Sequence, residues 1–473
     1  MSDPTWISVL PPLLAIVLAI VTRQVYLSLA GGIWLGWTIM SGWNPASGLA
    51  LAIDRTVDVL ADSGNAKVIL FTLVIGALIR TVEASGGVAG FVHWLEKNRW
   101  VTGGKRAEWL AWLTGVVIFI ESNITVLVAG AVARPLFDRY QTSREKLAYL
   151  IDSTSAAVCI LIPLNAWGAY NLGILNELGV EDPLGVFLGS IVYNFYAWAA
   201  VTLSALVVVF TWNIGPMKEA ERRTKEDGLV LRPGAQPMVD EDVVAPPHSD
   251  KIPPRAFNMV LPIVFMVVMM PVSLFITGDG DLRAGSGSTS VLWAVLSGLA
   301  MAWALLVAQR AYSVDELVRM ALKGAGGLMP LALILLLALS IGGVARELGT
   351  GIYVAQITEG LLPPMVFLPL VFAVSAGIAF STGTSWGTFA IMLPIAVPAA
   401  ASMGLPLSPF VAAALSGGIF GDHSSPISDT TIISSMAAAT DHIDHVRTQL
   451  PYALLAGGVA TLGFAILGAT LGG

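Results

Sequence analysis

The sequence predicts an all-α polytopic membrane protein made of two inverted-topology repeats, each with a re-entrant hairpin and a broken transmembrane helix. Three observations lead there. Charged residues make up only 12% of the chain against 55% hydrophobic, about half the charge a soluble domain carries. Apolar stretches of bilayer-spanning length recur along all 473 residues. Two of those stretches are interrupted by polar residues, at matching places in the two halves. With a mean hydropathy of +0.76, disorder, a coiled coil and an ordinary cytosolic enzyme are excluded. Gly 48 and Trp 14 fit close helix contacts and interfacial anchoring. Cys159 is the lone cysteine, which excludes a disulfide framework and a cysteine metal cluster. The net charge of −7 offers no basic surface to nucleic acid.

A helix needs roughly 20 apolar residues to cross a bilayer. In the first half the spans fall at about 6–22, 24–41, 67–83, 146–165 and 185–212. In the second they fall at about 257–276, 289–309, 327–346, 409–437 and 451–472. Met1 to Trp6 has no basic stretch before the first apolar segment, so that segment is read as a retained helix rather than a cleaved signal. Residues 109–133 carry Glu121, Ser122 and Asn123 near their middle, and 365–402 carry Thr382, Thr384 and Ser385 near theirs. Both are read as re-entrant hairpins with polar tips.

The expected domains are a first transmembrane repeat at 1–212, a cytoplasmic linker at 213–256 and a second repeat at 257–473. The linker holds Lys218, Arg222, Arg223, Lys225, Arg232, Lys251 and Arg255, which put it in the cytoplasm as a solvated segment. Loops 97–106 and 134–146 are basic as well, so the stretch between them must enter and return on one side. The same rule sends 365–402 in from the opposite side and leaves both termini extracytoplasmic.

The repeat is supported by register. Pro398 lies 263 positions after Pro135, and Pro426 the same distance after Pro163. That offset also pairs Glu121-Ser122 with Thr384-Ser385 and Asn165 with Ser428. In inverted-repeat transporters, broken helices from both halves meet near the midplane, where exposed backbone replaces an ion's water.

The chemistry concentrates in Gly421-Asp422-His423-Ser424-Ser425-Pro426-Ile427-Ser428-Asp429-Thr430-Thr431. A mid-membrane Asp costs ~2.5–3.5 kcal/mol even on an insertion scale, so this run must face protein or a wet cavity. Pro426 breaks the helical ladder. Asp422, Asp429 and the hydroxyls of Ser424, Ser425, Ser428 and Thr430 are hard oxygen ligands suited to Na⁺. A buried carboxylate also takes up a proton, so the two ions would compete. Glu121 and Asn123 at the first hairpin tip complete the expected cation set. Ser122, Asn165, Thr384 and Ser385 are placed along the substrate path. Asp152 is read either as a second proton-linked acid or as a residue near the cytoplasmic entrance. His423 is read either as a titrating group or as a neutral residue that packs the break. Asp441, His442, Asp444 and His445, a cytoplasmic-side cluster, are read as a solvated loop in preference to a pH-regulating group. Arg80 and Arg346 are read as structural anchors beside Glu83 and Glu347. No ATP-binding, zinc-hydrolase or Ser-His-Asp pattern is present, so neither an enzyme nor a cofactor is expected.

The run at 421–431, with GTSWGTFAIMLPIAVP at 383–398 and ESN at 121–123, resembles the NhaC-type sodium/proton antiporters of the ion-transporter superfamily. The resemblance covers most of the chain. It implies a multi-pass protein of a prokaryotic cytoplasmic membrane, a scaffold with a mobile transport domain moving as an elevator, and a homodimer. Asp422 and Asp429 match its motif acids. It implies Na⁺ and H⁺ as substrates. Some relatives exchange organic acids or amino acids instead, and Trp167, Tyr170 and Trp386 either line a pocket for such a solute or simply pack.

Overall fold

The computed structural model describes residues 5–22, 24–87, 90, 102–119, 122–163, 165–237, 253–280, 285–350, 353, 356 and 363–471. Among them all regular structure is helical; one isolated bridge joins Pro237 to Asp441. The first half runs α1 (Leu10–Thr22), α2 (Val25–Met40), α3 (Pro45–Asp58), α4 (Ser63–Ala84), α5 (Gly104–Val117), α6 (Ser122–Arg139), α7 (Arg144–Ser153), α8 (Ala156–Cys159), α9 (Ala166–Glu177), α10 (Pro183–Val192) and α11 (Phe195–Phe210). After α12 (Pro216–Asp227) come α13 (Phe257–Thr277), α14 (Gly287–Ala308), α15 (Val314–Gly327), α16 (Met329–Glu347), α17 (Pro364–Thr382), α18 (Ser385–Ser402), α19 (Leu407–Ser424), α20 (Asp429–Ala438) and α21 (His442–Leu471).

Six of these helices are long and apolar enough to cross a membrane, or up to eight if each bent pair is one span. The side chains agree with that use. The outward faces of α13 and α21 present Val268, Phe275, Leu454, Leu462 and Ile466 to the surroundings, a surface that suits lipid. By contrast, α19 is buried on all sides from Pro409 to Ile419, with Phe410 to Leu415 wholly enclosed. Such a helix belongs at the centre of a bundle. It packs on α17, α18, α10 and α21.

Glycine lets α19 approach its neighbour. A Cβ on Gly417 would meet the Phe372 carbonyl, and one on Gly421 the Ala376 carbonyl. The two glycines stand one turn apart, as close helix pairs in membranes require.

Both polar interruptions fall where one helix gives way to the next. The second hairpin is α17 and α18, joined at Gly383, whose φ of +69° suits glycine. Its arms of 19 and 18 residues are each about 27 Å long or more. Each arm is thus long and apolar enough to cross a membrane on its own. Their turn meets the break in the next span: a Cβ on Gly383 would meet the Ile427 carbonyl. The first hairpin is α5 and α6, tied across its turn by the Thr125 hydroxyl donating to the Ile118 carbonyl. Glu121 lies outside the described residues, as do the side chains of Asn123 and Asp429.

The span expected at 146–165 is broken, as its Pro163 implies: α7 ends at Ser153, the short α8 ends at Cys159, and the chain resumes as α9. Asn165 caps α9, its Oδ1 accepting from Gly168 N at 3.1 Å. In the same way the 409–437 span stops at Ser424 and resumes at Asp429, with Ser428 capping α20. Asn165 and Ser428, paired by the sequence offset, thus occupy the same local position.

Residues 216–227 are not the solvated strand of linker the charge suggested. They form α12, whose Met217, Ala220, Glu221 and Thr224 are buried against α7 and α21. The charges make the contact. Lys146, fully buried, bonds Glu108 at 2.7 Å and faces Glu221 at 3.8 Å; Arg223 bonds Glu145 at 2.9 Å.

Candidate functional site

The break in the α19–α20 span builds a polar centre around Asp422. Its carboxylate is 1% exposed. Three hydroxyls converge on it from two elements. Ser428 donates to Oδ1 at 2.7 Å, Ser385 to Oδ2 at 3.1 Å, and Thr430 lies 3.5 Å from Oδ2. Ser428 and Thr430 also touch at 2.9 Å. Ser428 and Thr430 come from the break itself; Ser385 opens α18 at the hairpin turn. The site thus exists only where the hairpin tip and the break meet.

The donor set defines the chemistry. Hydroxyls both donate and accept. Facing a bare carboxylate they donate, as here; facing a cation they turn lone pairs inward. One carboxylate with several neutral oxygens suits a small hard monovalent cation. No group of three or more His, Cys, Asp or Glu able to hold a metal occurs among the described residues.

Asp152 anchors a second centre. Its Oδ2 accepts from Gln449 Nε2 at 2.7 Å and Thr431 Oγ1 at 3.2 Å. His445 Nε2 and His423 Nε2 stand 3.9 and 4.0 Å from the same oxygen. His423 itself lies between the centres, held by Tyr196 OH at Nδ1 (2.6 Å) and Ser153 Oγ at Nε2 (3.2 Å). Asp152 is therefore enclosed by protein rather than standing at an entrance.

The other expected residues are distributed around these centres. Ser424 turns back to its own Phe420 carbonyl, and Ser425 donates to Phe380 O at 2.7 Å, fastening the break to α17. Thr384 caps α18 and its carbonyl accepts from Thr388 at 3.0 Å. Asn165 Nδ2 donates to Phe119 O and Cys159 O, at 3.0 and 2.8 Å, fastening the first break to the first hairpin. Ser122 opens α6 and is buried. The aromatics form a closed cluster: Trp167 lies 4.2 Å from Trp386 between ring centres, and Tyr170 OH donates to Trp386 O at 2.9 Å.

Two expectations about charged residues change. His445 is wholly buried beside Asp152 rather than in a solvated loop. Arg346 pairs with Glu177 at 2.8 Å, not with Glu347, because α9 ends against α16. Arg346 and Glu177 line a separate cavity of about 350 Å³, together with Trp37, Arg55, Asp62 and Asn65.

Residues 174–469 match the Na+/H+ antiporter family. An uncharacterized protein of Haemophilus influenzae is 34% identical over all of this chain and 92% of its own length. The chain belongs to the Na+/H+ antiporter family. It is thus a multi-pass membrane protein and a secondary transporter, not an enzyme. The resemblance drawn from the 421–431 run holds, since that run lies inside the matched region. A shorter stretch, 29% of the chain, is 30% identical to the malate-2H(+)/Na(+)-lactate antiporter of Bacillus subtilis, over 30% of that protein. The fold is similar to that of the YdaH transporter of Alcanivorax borkumensis, with a TM-score of 0.57 at 15% identity over 90% of this chain and 89% of that one. For this family member, the Asp422 centre is the candidate substrate site, and Na⁺ is a substrate to be moved rather than a resident cofactor.

Sequence reasoning missed Thr431, His445, Gln449 and Tyr196. The signal for two of them was there: His445 and Gln449 stand one turn apart, in helical register with Tyr452, Ala453 and Ala456 on the buried face of α21.

Proposed function

We propose that this chain exchanges Na⁺ for H⁺ across a prokaryotic cytoplasmic membrane by alternating access, the two ions competing for Asp422. The observation that carries the reading is the convergence of the Ser385, Ser428 and Thr430 hydroxyls on the buried carboxylate of Asp422. A bare charge there is costly unless compensated. A proton removes the charge, and a cation balances it. Either occupant lets the site move through the membrane; an empty carboxylate does not. That difference couples the two fluxes.

Asp429, first residue of α20, and Glu121 with Asn123 at the first hairpin tip are assigned to the same site by the motif. The offset of 263 and the equivalent caps of Asn165 and Ser428 support two inverted repeats, 1–212 and 257–473, joined at 213–256. The hairpins and broken helices would form the mobile domain of an elevator in a homodimer.

A second reading is Na⁺- or H⁺-coupled movement of a small organic acid or amino acid. The malate and lactate named for the Bacillus subtilis relative favour it. So does Trp167 Nε1, buried beside Trp386 with no hydrogen-bond partner among the described residues. The two readings separate in proteoliposomes loaded with a pH dye, given Na⁺ outside and no organic solute. Internal pH that tracks the Na⁺ gradient, and stops doing so in Asp422→Asn, supports exchange. A silent wild-type protein that is folded and reconstituted moves the reading to the organic solute.

A further inference from the structure

Behind Asp152 a chain of side chains runs towards the face of the protein that carries α12. His445 Nδ1 lies 2.8 Å from Ser435 Oγ, and the same oxygen lies 3.0 Å from His442 Nδ1. His445 is wholly buried; His442, at the start of α21, is half-buried.

The outer bonds of the two rings fix where their protons sit. His442 Nε2 is 2.6 Å from the Pro426 carbonyl, which only accepts, so Nε2 carries hydrogen. Gln449 Nε2 donates both to Asp152 Oδ2 and to the His423 carbonyl, at 2.7 and 2.6 Å. The amide's oxygen therefore faces His445 Nε2 at 2.9 Å, and that nitrogen too must carry hydrogen. Each neutral ring is then left with a bare Nδ1, and both lone pairs point at one hydroxyl. Ser435 has a single proton, which the Thr431 carbonyl at 2.8 Å also attracts. The neutral chain is one proton short.

An added proton completes it. A ring protonated at Nδ1 donates to Ser435 Oγ, and the hydroxyl donates onward to the other ring. Moving the charge then needs only two short hops: His442 Nδ1–H passes to Ser435, and the Ser435 proton passes to His445. His442 returns to neutral. His445, now charged, has Nε2–H 3.9 Å from Asp152 Oδ2, and a small ring rotation away from Gln449 delivers that proton. The carboxylate becomes a neutral carboxyl, and His445 is left neutral with hydrogen on Nδ1.

We propose that His442, Ser435 and His445 form a proton relay that loads Asp152 from the α12 side, apart from the Asp422 cation site. The relay rests on the reading that protons are one of the exchanged ions. The groups facing it are accounted for. His445 faces Asp152 and His423, and beyond His423 stands Tyr196. At the entrance Asp444 is paired with Arg232, Glu145 with Arg223 and Asp138 with Arg144, and the carboxylate of Asp441 is held by the amides of Gln236, Ile443 and Asp444. His442 is thus the imidazole at the mouth of the relay, beside charges already paired.

Ser435→Ala and Ser435→Thr test it. In proteoliposomes Ser435→Ala is expected to slow Na⁺-driven H⁺ movement by about a hundredfold, the usual worth of a placed proton-transfer group. Ser435→Thr, which keeps the hydroxyl, restores it. Exchange of labelled Na⁺ for Na⁺, which moves no net proton, is expected to be unchanged in both. Wild-type H⁺ movement in Ser435→Ala overturns the relay, and so does loss of Na⁺/Na⁺ exchange along with it. If the wild-type protein moves neither ion, the exchange reading fails on its own, and nitrogen NMR of labelled histidines then decides the relay. One shared titration of His442 and His445 that splits in Ser435→Ala supports it; independent titrations in the wild type overturn it.

Discussion

Ser385 donates a hydrogen bond to Asp422 at 3.1 Å, joining the tip of one helical hairpin to the break in the span beside it. In the proposed exchange, the two elements this bond joins move together. Removing the hydroxyl takes a donor from the bare carboxylate and a ligand from the bound cation. Ser385→Ala is expected to weaken Na⁺ binding by roughly tenfold, or ~1.4 kcal/mol, with the protein still folded. Asp422→Asn is expected to abolish Na⁺-driven H⁺ movement. Thermal stabilisation by Na⁺ reads the first and dye flux the second; wild-type Na⁺ affinity in Ser385→Ala would remove the hairpin tip from the site.

Close approach of α19 to α17 is set by Gly421. A leucine there would drive its Cβ into the Ala376 carbonyl and Ala379, where the obstacle is backbone and has little room to yield. Overpacking of this kind costs ~1–3 kcal/mol. Gly421→Leu is expected to lose folded protein in detergent, by size-exclusion profile. Gly458→Leu, in open space on α21, is the comparison and should elute as wild type. Equal profiles would show that α19 does not need the contact.

What could be read before folding, and what could not, divides along chain distance. Asp422, Ser428 and Thr430 fall within one run of nine residues, so their chemistry was visible as an expensive polar island in an apolar span. The breaks were marked by Pro163 and Pro426. Ser385 was visible as part of the polar interruption in 365–402, but not as a partner of Asp422, 37 residues away. The Asp152 centre was not legible, because Asp152 and Gln449 are brought together across nearly three hundred residues. His445 looked like part of a charged loop; only the docking of α21 on α7 turns its face inward. For α12 the charges hid the pattern: Met217, Ala220, Glu221 and Thr224 follow helical spacing, yet two of the four are polar.

Burial of Lys146 makes its partner Glu108 expensive to lose. With Glu108→Ala, the ammonium keeps the longer Glu221 contact at 3.8 Å among the described residues, and a buried charge that loses its nearer partner costs up to the ~3–5 kcal/mol of a broken buried pair. Glu108→Ala is expected to lower Tm well below that of the double variant Glu108→Leu, Lys146→Met, in which no cation is left stranded. A single variant as stable as the double would mean that the pair is wet in solution.

Asp441 sets a pH dependence outside the spans. Burial pulls its carboxyl upward, but the amides of Gln236, Asp444 and Ile443, with Arg232 nearby, outweigh that and hold it below the usual carboxylate value. The bonds are 2.9 Å to Gln236 N, 3.2 Å to Asp444 N and 3.0 Å to Ile443 N. Asp441 thereby ties the chain after α12 to the first turn of α21. A carboxyl depressed in the folded state stabilises above its unfolded value, near 3.9, and loses that contribution as pH falls through the folded value. At pH 7 Asp441→Ala should cost about 1 kcal/mol, as loss of a helix cap does. The Tm gap between wild type and variant should be constant at neutral pH and close on acidification below about pH 4. A gap that widens in acid would mean that the carboxyl binds its proton more tightly folded than unfolded, and that the three amides do not govern it.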